Sequence, residues 1–491
     1  MVPQLLFQRR RTVEPVSEEQ ADSSAFQQTS NSFGESTTAS SSAISRDEDV
    51  VIVSSDDEED ESNQLIDEKT TSSSQYSFYY LSPHAAQELP RFQYRGQDLS
   101  LLYKYILSPL AQFCVDQWTP RSIAPNSITL IGLSFMIAAY TIIWMHVPSM
   151  DSTVFDESPP NWIYLCNAVA LLLYQTLDNM DGKQARRTGS SSPMGLLFDH
   201  GCDAINSLFG SANWMIAMAL HPQKDALLCW IILFGPYALF YIGTWEEYFT
   251  GALIMPIING PNEGLLGGAL MSLTSYWYGS QFWHESSWWN VLQPHVATLV
   301  PSLTDVTLRN CDLLVAAAMI GFVQEVVSKI VLVMWRYGSR VLWNLLPFAT
   351  LIACSTIIGC HKMELWVQAP RLCLHLIAIL FVEMTTALML AHMSDERYQC
   401  FRWTLLPLVI LTAGVTFGYI DDVESCLDYL LAYTAGAGVY LLFKTVLIIH
   451  EISTLLNIWC FDIVTPRRRQ PSAAYKISTR GKAQEMHMKA E

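Results

Sequence analysis

The sequence predicts an all-α integral membrane protein with about ten transmembrane helices and an amphipathic helix on the cytosolic side. The first observation behind this is compositional. The 491 residues are 51% hydrophobic, 12% aromatic and only 15% charged, too apolar for a chain of several soluble domains. The second is the recurrence, between Ser127 and Ile449, of nearly uncharged runs of about 20 residues, each long enough to cross a hydrocarbon core of roughly 30 Å as a helix. The third is an uneven distribution of Lys and Arg among the segments joining these runs, which sets an orientation.

Residues 1–75 hold 16 Asp/Glu and 5 Lys/Arg, so most of the net charge of -17 belongs to one Ser-, Thr- and Gln-rich stretch. It has too few large apolar side chains to offset chain entropy and is expected to be a disordered acidic tail. Within it, Val50, Val51, Ile52 and Val53 run into Ser54, Ser55 and the acids Asp56 to Glu61. That pattern reads as a solvated acidic run, with a SUMO-interacting or acidic-kinase segment as the alternative. No basic, apolar and small-residue signal opens the chain, so the first span is expected to act as the insertion signal. The eleven cysteines are scattered without a C-x-x-C pair, which suits free thiols rather than a disulfide or zinc framework.

Residues 76–126 form an interfacial segment. Its stretch GQDLSLLYKYILSPLAQF places apolar residues at helical spacing behind Asp98 and Ser100, which suits an amphipathic helix lying on the cytosolic surface. Ten spans follow, near 127–147, 161–177, 201–220, 226–243, 264–283, 313–335, 341–360, 372–392, 403–420 and 428–449. With the amino end cytosolic, the cytosolic connections and flanks carry 18 Lys/Arg and the opposite connections 4, the positive-inside pattern. The basic stretch of residues 461–491 is then a cytosolic tail that binds anionic headgroups or fixes orientation.

Between the second and third spans lies DNMDGKQARRTGSSSPMGLLFDHGCD, residues 178–203. Asp178 and Asp181 are three residues apart, Asp199 and Asp203 four apart, so each pair projects from one face of its helix. A helical hairpin can therefore converge four carboxylates on one point. An aspartate deep in a transmembrane helix costs roughly 2.5–3.5 kcal/mol, so four would cost on the order of 10 kcal/mol unless neutralised or wet. A divalent cation and water access supply the compensation. Oxygen ligands without His or Cys select hard ions, magnesium or manganese, which suit phosphate chemistry. Gly182 permits close backbone approach, and Lys183, Arg186 and Arg187 can meet phosphate oxygens.

The pattern D-x-x-D-G-x-x-A-R, eight residues, G-x-x-x-D-x-x-x-D, carried by Asp178, Asp181, Gly182, Ala185, Arg186, Gly195, Asp199 and Asp203, resembles the signature of the CDP-alcohol phosphatidyltransferase family. Further stretches, YRGQDLSLLYKY, IAPNSITLIG and WEEYFTG followed by NGPNEG, resemble the eukaryotic choline/ethanolamine phosphotransferases. The resemblance runs from about Tyr94 to the last span. It implies catalytic helices within 127–283 and further transmembrane helices within 284–460, ten in all, as in that subfamily. It makes Asp178, Asp181, Asp199 and Asp203 the ligands of two magnesium or manganese ions, with Asp181 and Asp199 bridging. It has Arg186, and Asn126 of the APN before the first span, contact the CDP moiety; Asn126 also reads as a helix start.

From the residues alone, His200 is a metal ligand, an interhelical hydrogen bonder or a base. The resemblance makes it the proton acceptor, with Glu263 of NGPNEG as its carboxylate partner. Glu246 and Glu247 compete locally for that role but read as interfacial surface acids. Glu325 and Lys329, four apart, neutralise each other, and Glu383 has no evident partner. The resemblance implies transfer of phosphoethanolamine or phosphocholine from the CDP-alcohol to diacylglycerol with release of CMP. It also implies a homodimer, in the endoplasmic reticulum or Golgi membrane, with the active site facing the cytosol and no nucleic-acid partner. Two alternatives share the acidic cluster. One is a family member using an inositol or glycerophosphate acceptor, against which chain length, His200 and Glu263 speak. The other is a divalent-cation transporter, which leaves the arginine and glycine spacing unexplained.

Overall fold

A computed structural model describes residues 78–151, 159–299 and 305–467. By its internal contacts the chain divides into two units, residues 1–60 and 61–491, and the described residues belong to the second. The acidic tail, its Val50-to-Glu61 segment and residues 468–491 of the basic tail lie outside the described residues.

The described residues build a helical assembly. Its elements are α1 Pro83–Glu88, β1 Gly96–Asp98, α2 Ser108–Trp118, α3 Pro125–His146, α4 Trp162–Thr188, α5 Pro193–Ala217, α6 Ala226–Thr250, β2 Leu253–Met255, α7 Leu265–Tyr278, α8 Ser287–Leu299, α9 Asn310–Tyr337, α10 Leu346–His361, α11 Met363–Gln368, α12 Pro370–Met393, α13 Leu406–Thr416 and α14 Val423–Leu456. The expected helix after Ser100 divides in two: a wide turn at Tyr103–Leu107 leads into α2. Ser100 starts it by accepting the Tyr103 N–H at 3.0 Å, and Leu101, Tyr105, Ile106, Leu110 and Phe113 are exposed along it. Gly96–Asp98 instead pairs in parallel with Leu253–Met255, a contact too short to leave a periodic signal in sequence.

Among the described residues, six helical stretches are long and apolar enough to cross a membrane: Pro125–His146, Ala226–Thr250, Asn310–Tyr337, Ser339–His361, Pro370–Met393 and Val423–Leu455. The other four expected spans coincide with α4, α5, α7 and α13. Of these, α4 and α5 carry the charged cluster at their facing ends, while α7 and α13 have 14 and 11 residues. Burial shows where apolar solvent must lie. α12 is the centre, with 78% of its most apolar window buried, whereas the windows of α9 and α14 are only 11% buried. Ile320, Val327, Val331 and Trp335 on α9, and Leu431, Val439, Leu442 and Phe443 on α14, stand exposed. Water would oppose such faces and lipid would not.

α12 packs against α5, α6, α10 and α14. Tyr237 of α6 stacks on Phe381 of α12 at 4.2 Å between ring centroids, 7° from parallel. Nearby, Glu383 of α12 accepts hydrogen bonds from Lys444 of α14 (2.7 Å), Arg402 and Thr404 (3.1 Å), so its partners come from later elements. At the end of the assembly that holds the aspartates, the segment before α1 is clamped onto α14. The Glu451 carboxylate accepts the backbone N–H groups of Tyr79 (2.7 Å), Tyr80 (3.1 Å) and Leu81 (2.9 Å), and the Tyr80 ring lies 5.6 Å from the Lys444 ammonium.

Candidate active site

The aspartate hairpin follows from its turn chemistry. α4 ends at Gly189, whose left-handed φ of 65° a side chain would resist. Three residues on, Ser192 caps α5 by accepting the Gly195 N–H at 3.1 Å, and Pro193 occupies the first helical turn. Two helices so joined turn their aspartates toward each other.

Carboxylate oxygens of Asp178, Asp181 and Asp199 all lie within 4.8 Å of one another. Asp203 completes the group, within hydrogen-bond reach of Asp178 and taking the hydroxyl of Tyr174. Thr129 of α3 donates its hydroxyl to Asp181. Among the described residues, one buried oxygen each of Asp178 and Asp199 has no hydrogen-bond partner. Buried anionic oxygens left this way cost several kcal/mol unless a cation meets them, so the residues fit an oxygen-ligated divalent ion.

The cations of the hairpin separate into distinct roles. Arg186 is exposed, its guanidinium 3.5 Å from where a side chain on Gly182 would begin. Lys183 donates to Ser108 at 2.8 Å, and Arg187 donates to the carbonyls of Val115 and Thr119 (2.9 Å), so Arg187 braces the end of α2. Of the three expected phosphate contacts, Arg186 alone stands without a protein partner among the described residues. Asn126 is 7% exposed, donates to the Cys460 carbonyl at 3.0 Å, and its carbonyl oxygen lies 3.5 Å from the Cβ position of Gly195. It therefore faces the hairpin from α3 and is joined to the segment after α14.

Glu263 and His200 sit in different contacts. The Glu263 carboxylate accepts from the Ser100 hydroxyl (2.5 Å) and the Asn259 N–H (2.9 Å). Asn262 donates to Asp98 at 2.6 Å, and Gln175, three residues before Asp178, donates to the carbonyls of Pro261 and Asn262 at 2.9 and 2.8 Å. The NGPNEG loop is thereby tied both to the helix of the aspartates and to the strand before α2. The His200 ring meets Tyr94 and Phe240 edge to face, with centroids 6.4 and 6.1 Å away. Among the described residues His200 and Glu263 share no hydrogen bond.

Burial corrects one expectation. Glu246 and Glu247 are not interfacial surface acids but 5% and 1% exposed. Glu246 receives the Lys329 ammonium, and Glu325, expected to pair with that lysine, lies 3.9 Å from it. Glu247 lies 3.6 Å from the His392 imidazole of α12. Thr129, Tyr174 and Gln175 escaped the sequence reading, as did the contact of Ser100 with Glu263, because each reaches its partner by side-chain direction; spacing carried a hint only for Gln175 and Tyr174, three and four residues before Asp178.

The aspartate hairpin lies within the part of the chain that a family model matches. Residues 122–247 match the family model described as CDP-alcohol phosphatidyltransferase. The chain is 34% identical over 404 residues to choline/ethanolaminephosphotransferase 1 of Arabidopsis thaliana, covering 78% of this chain and 98% of that protein. It is 26% identical to choline/ethanolaminephosphotransferase 1 of Saccharomyces cerevisiae, over 78% of this chain and 98% of that one, and 26% identical to ethanolaminephosphotransferase 1 of Mus musculus, over 79% and 95%. With a paired aspartate hairpin at its centre and a relative of this identity matched over nearly its full length, the chain belongs to the CDP-alcohol phosphatidyltransferase family of transferases.

Proposed function

We propose that the protein transfers phosphoethanolamine or phosphocholine from the CDP-alcohol to diacylglycerol, releasing CMP. The convergence of Asp178, Asp181 and Asp199 within 4.8 Å, two of them holding buried oxygens unpartnered among the described residues, carries this reading. The relatives' printed activities support the choice of phosphoalcohol. Asp178, Asp181, Asp199 and Asp203 would hold two magnesium or manganese ions, which neutralise charge on the diphosphate when bound. Arg186, exposed beside Gly182, and Asn126, facing Gly195, contact the CDP moiety; Lys183 lies on the same helix and bears on the phosphates.

His200 removes the proton from the lipid hydroxyl. The freed oxygen attacks the distal phosphorus in line, and the phosphorus–oxygen bond to CMP breaks. No covalent enzyme intermediate is needed. Glu263 supports His200 from the loop held by Gln175 and Ser100. The ten-helix topology, the interfacial helix around Leu101–Trp118, a cytosolic active site, an endoplasmic reticulum or Golgi location and a homodimer complete the reading. The charge asymmetry of the connections supports the orientation.

The test is conversion of labelled CDP-ethanolamine and CDP-choline with diacylglycerol by the purified protein, with magnesium or manganese. Full activity in Asp199→Ala would sink the reading. Substitution of His200 by Asn should abolish turnover while leaving metal binding intact.

A further inference from the structure

Beside His200 lies a corner that the transfer step does not use. Glu247 is 1% exposed at the end of α6, and among the described residues its one ion-pair partner is His392, at 3.6 Å, charged only when protonated. The other buried glutamates among the described residues are compensated. Glu246 has Lys329, Glu383 has Arg402 and Lys444, and Glu451 has three backbone N–H groups. Glu247 thus offers a desolvated negative charge with no permanent cation against it, an arrangement that favours one arriving from outside.

Aromatic rings wall the same corner. Phe92 meets the His392 ring edge-on at 5.4 Å, and Tyr94 meets the His200 ring at 6.4 Å. Tyr94 folds back over Gly96, where any side chain would collide with its phenol, so the glycine leaves the notch that seats the ring. Tyr94 as a residue is 46% exposed. An aromatic face and an undercompensated carboxylate together recognise an alkylammonium ion: a quaternary ammonium by the ring, a primary one also by hydrogen bonds to the carboxylate.

We propose that Glu247, with Tyr94 and Phe92, receives the ammonium end of the CDP-alcohol while the aspartate hairpin holds its diphosphate. The inference rests on the reading of the substrate as a CDP-aminoalcohol and adds where its cation sits. Tyr94 packs on the ring of His200, next in sequence to Asp199, and Phe92 on the ring of His392, which faces Glu247.

The experiment measures KM for CDP-ethanolamine and CDP-choline, and the inhibition constant of CMP, which lacks the ammonium group, on the full-length protein in membranes. Glu247→Gln should raise KM for CDP-ethanolamine at least tenfold, with the loss falling on KM more than on kcat and the CMP constant moving less than twofold. Tyr94→Leu should weaken CDP-choline more than CDP-ethanolamine, and Glu247→Asp should recover part of the loss. Should Glu247→Gln fail to accumulate, Tyr94→Leu and Glu247→Asp carry the same comparison. KM values within twofold of wild type in these variants, or a CMP constant that rises in step with KM, overturn the proposal while wild-type turnover stands. A wild-type protein that converts neither CDP-alcohol overturns the underlying reading as well.

Discussion

Replacing Glu383 by Gln isolates a large electrostatic cost in the heart of the assembly. Glu383 is 2% exposed and Lys444 3%, and the carboxylate also holds Arg402 and Thr404. Glutamine keeps the size and can still accept a hydrogen bond, but it leaves two cations facing a neutral group in a poorly solvated place. Removing one partner from a buried ion pair costs about 3–5 kcal/mol, because the remaining charge is desolvated without compensation. For a protein of this size that corresponds to a fall in the unfolding midpoint of about 3–5 °C. Thermal unfolding of detergent-solubilised protein, followed by the loss of the monodisperse chromatographic peak, reads this directly. Glu383→Gln combined with Lys444→Met should recover part of the loss, since one cation then leaves with the anion. A midpoint within about 0.5 °C of wild type for the single variant, on the order of half a kcal/mol, would refute the argument that these charges are desolvated.

Four other outcomes follow from the site and its supports. Asp199→Ala should lower turnover by on the order of a thousandfold or more, about 4 kcal/mol of lost charge stabilisation, in the CDP-alcohol assay. Chelation with EDTA should abolish activity, and added magnesium or manganese should restore it; activity that survives exhaustive chelation would argue against a metal-dependent hairpin. Ser100→Ala removes the 2.5 Å hydrogen bond to Glu263 and should reduce kcat by roughly three- to tenfold with little change in the CMP inhibition constant. At the opposite end of the assembly, Arg309→Ala breaks contacts to Asp225 (2.6 Å) and Asp312 (2.9 Å) and should lower stability by about 1–2 kcal/mol without changing KM.

The aspartate hairpin was legible because its information is local. Spacing of three and four residues places the carboxylates, and a Gly, Ser and Pro turn reverses the chain within a few positions. The apolar runs were legible for the same reason, and each expected span has a helix in its place. Long-range pairing was not legible. Glu383 showed no partner in sequence because Arg402 and Lys444 lie 19 and 61 residues on and reach it only through packing of α12 with later elements. Glu246 and Glu247 read as surface acids because Lys329 and His392 arrive from α9 and α12. The loop of Glu263 looked like a turn and is one, yet its direction is set by Gln175, Asp98 and Ser100, whose side-chain aim no periodicity records.

The clamp of Tyr79, Tyr80 and Leu81 on Glu451 joins residues about 370 positions apart and so bears on the timing of biogenesis. At roughly 5–20 residues per second, a ribosome needs on the order of 20–75 s between making the two halves of that contact. Throughout that interval the three backbone N–H groups must stay hydrated or be held by another factor, while the helices between the two halves are made. The molecule is thus latched only after its final helix has been delivered, and an interrupted translation product would display an open latch that quality control can recognise.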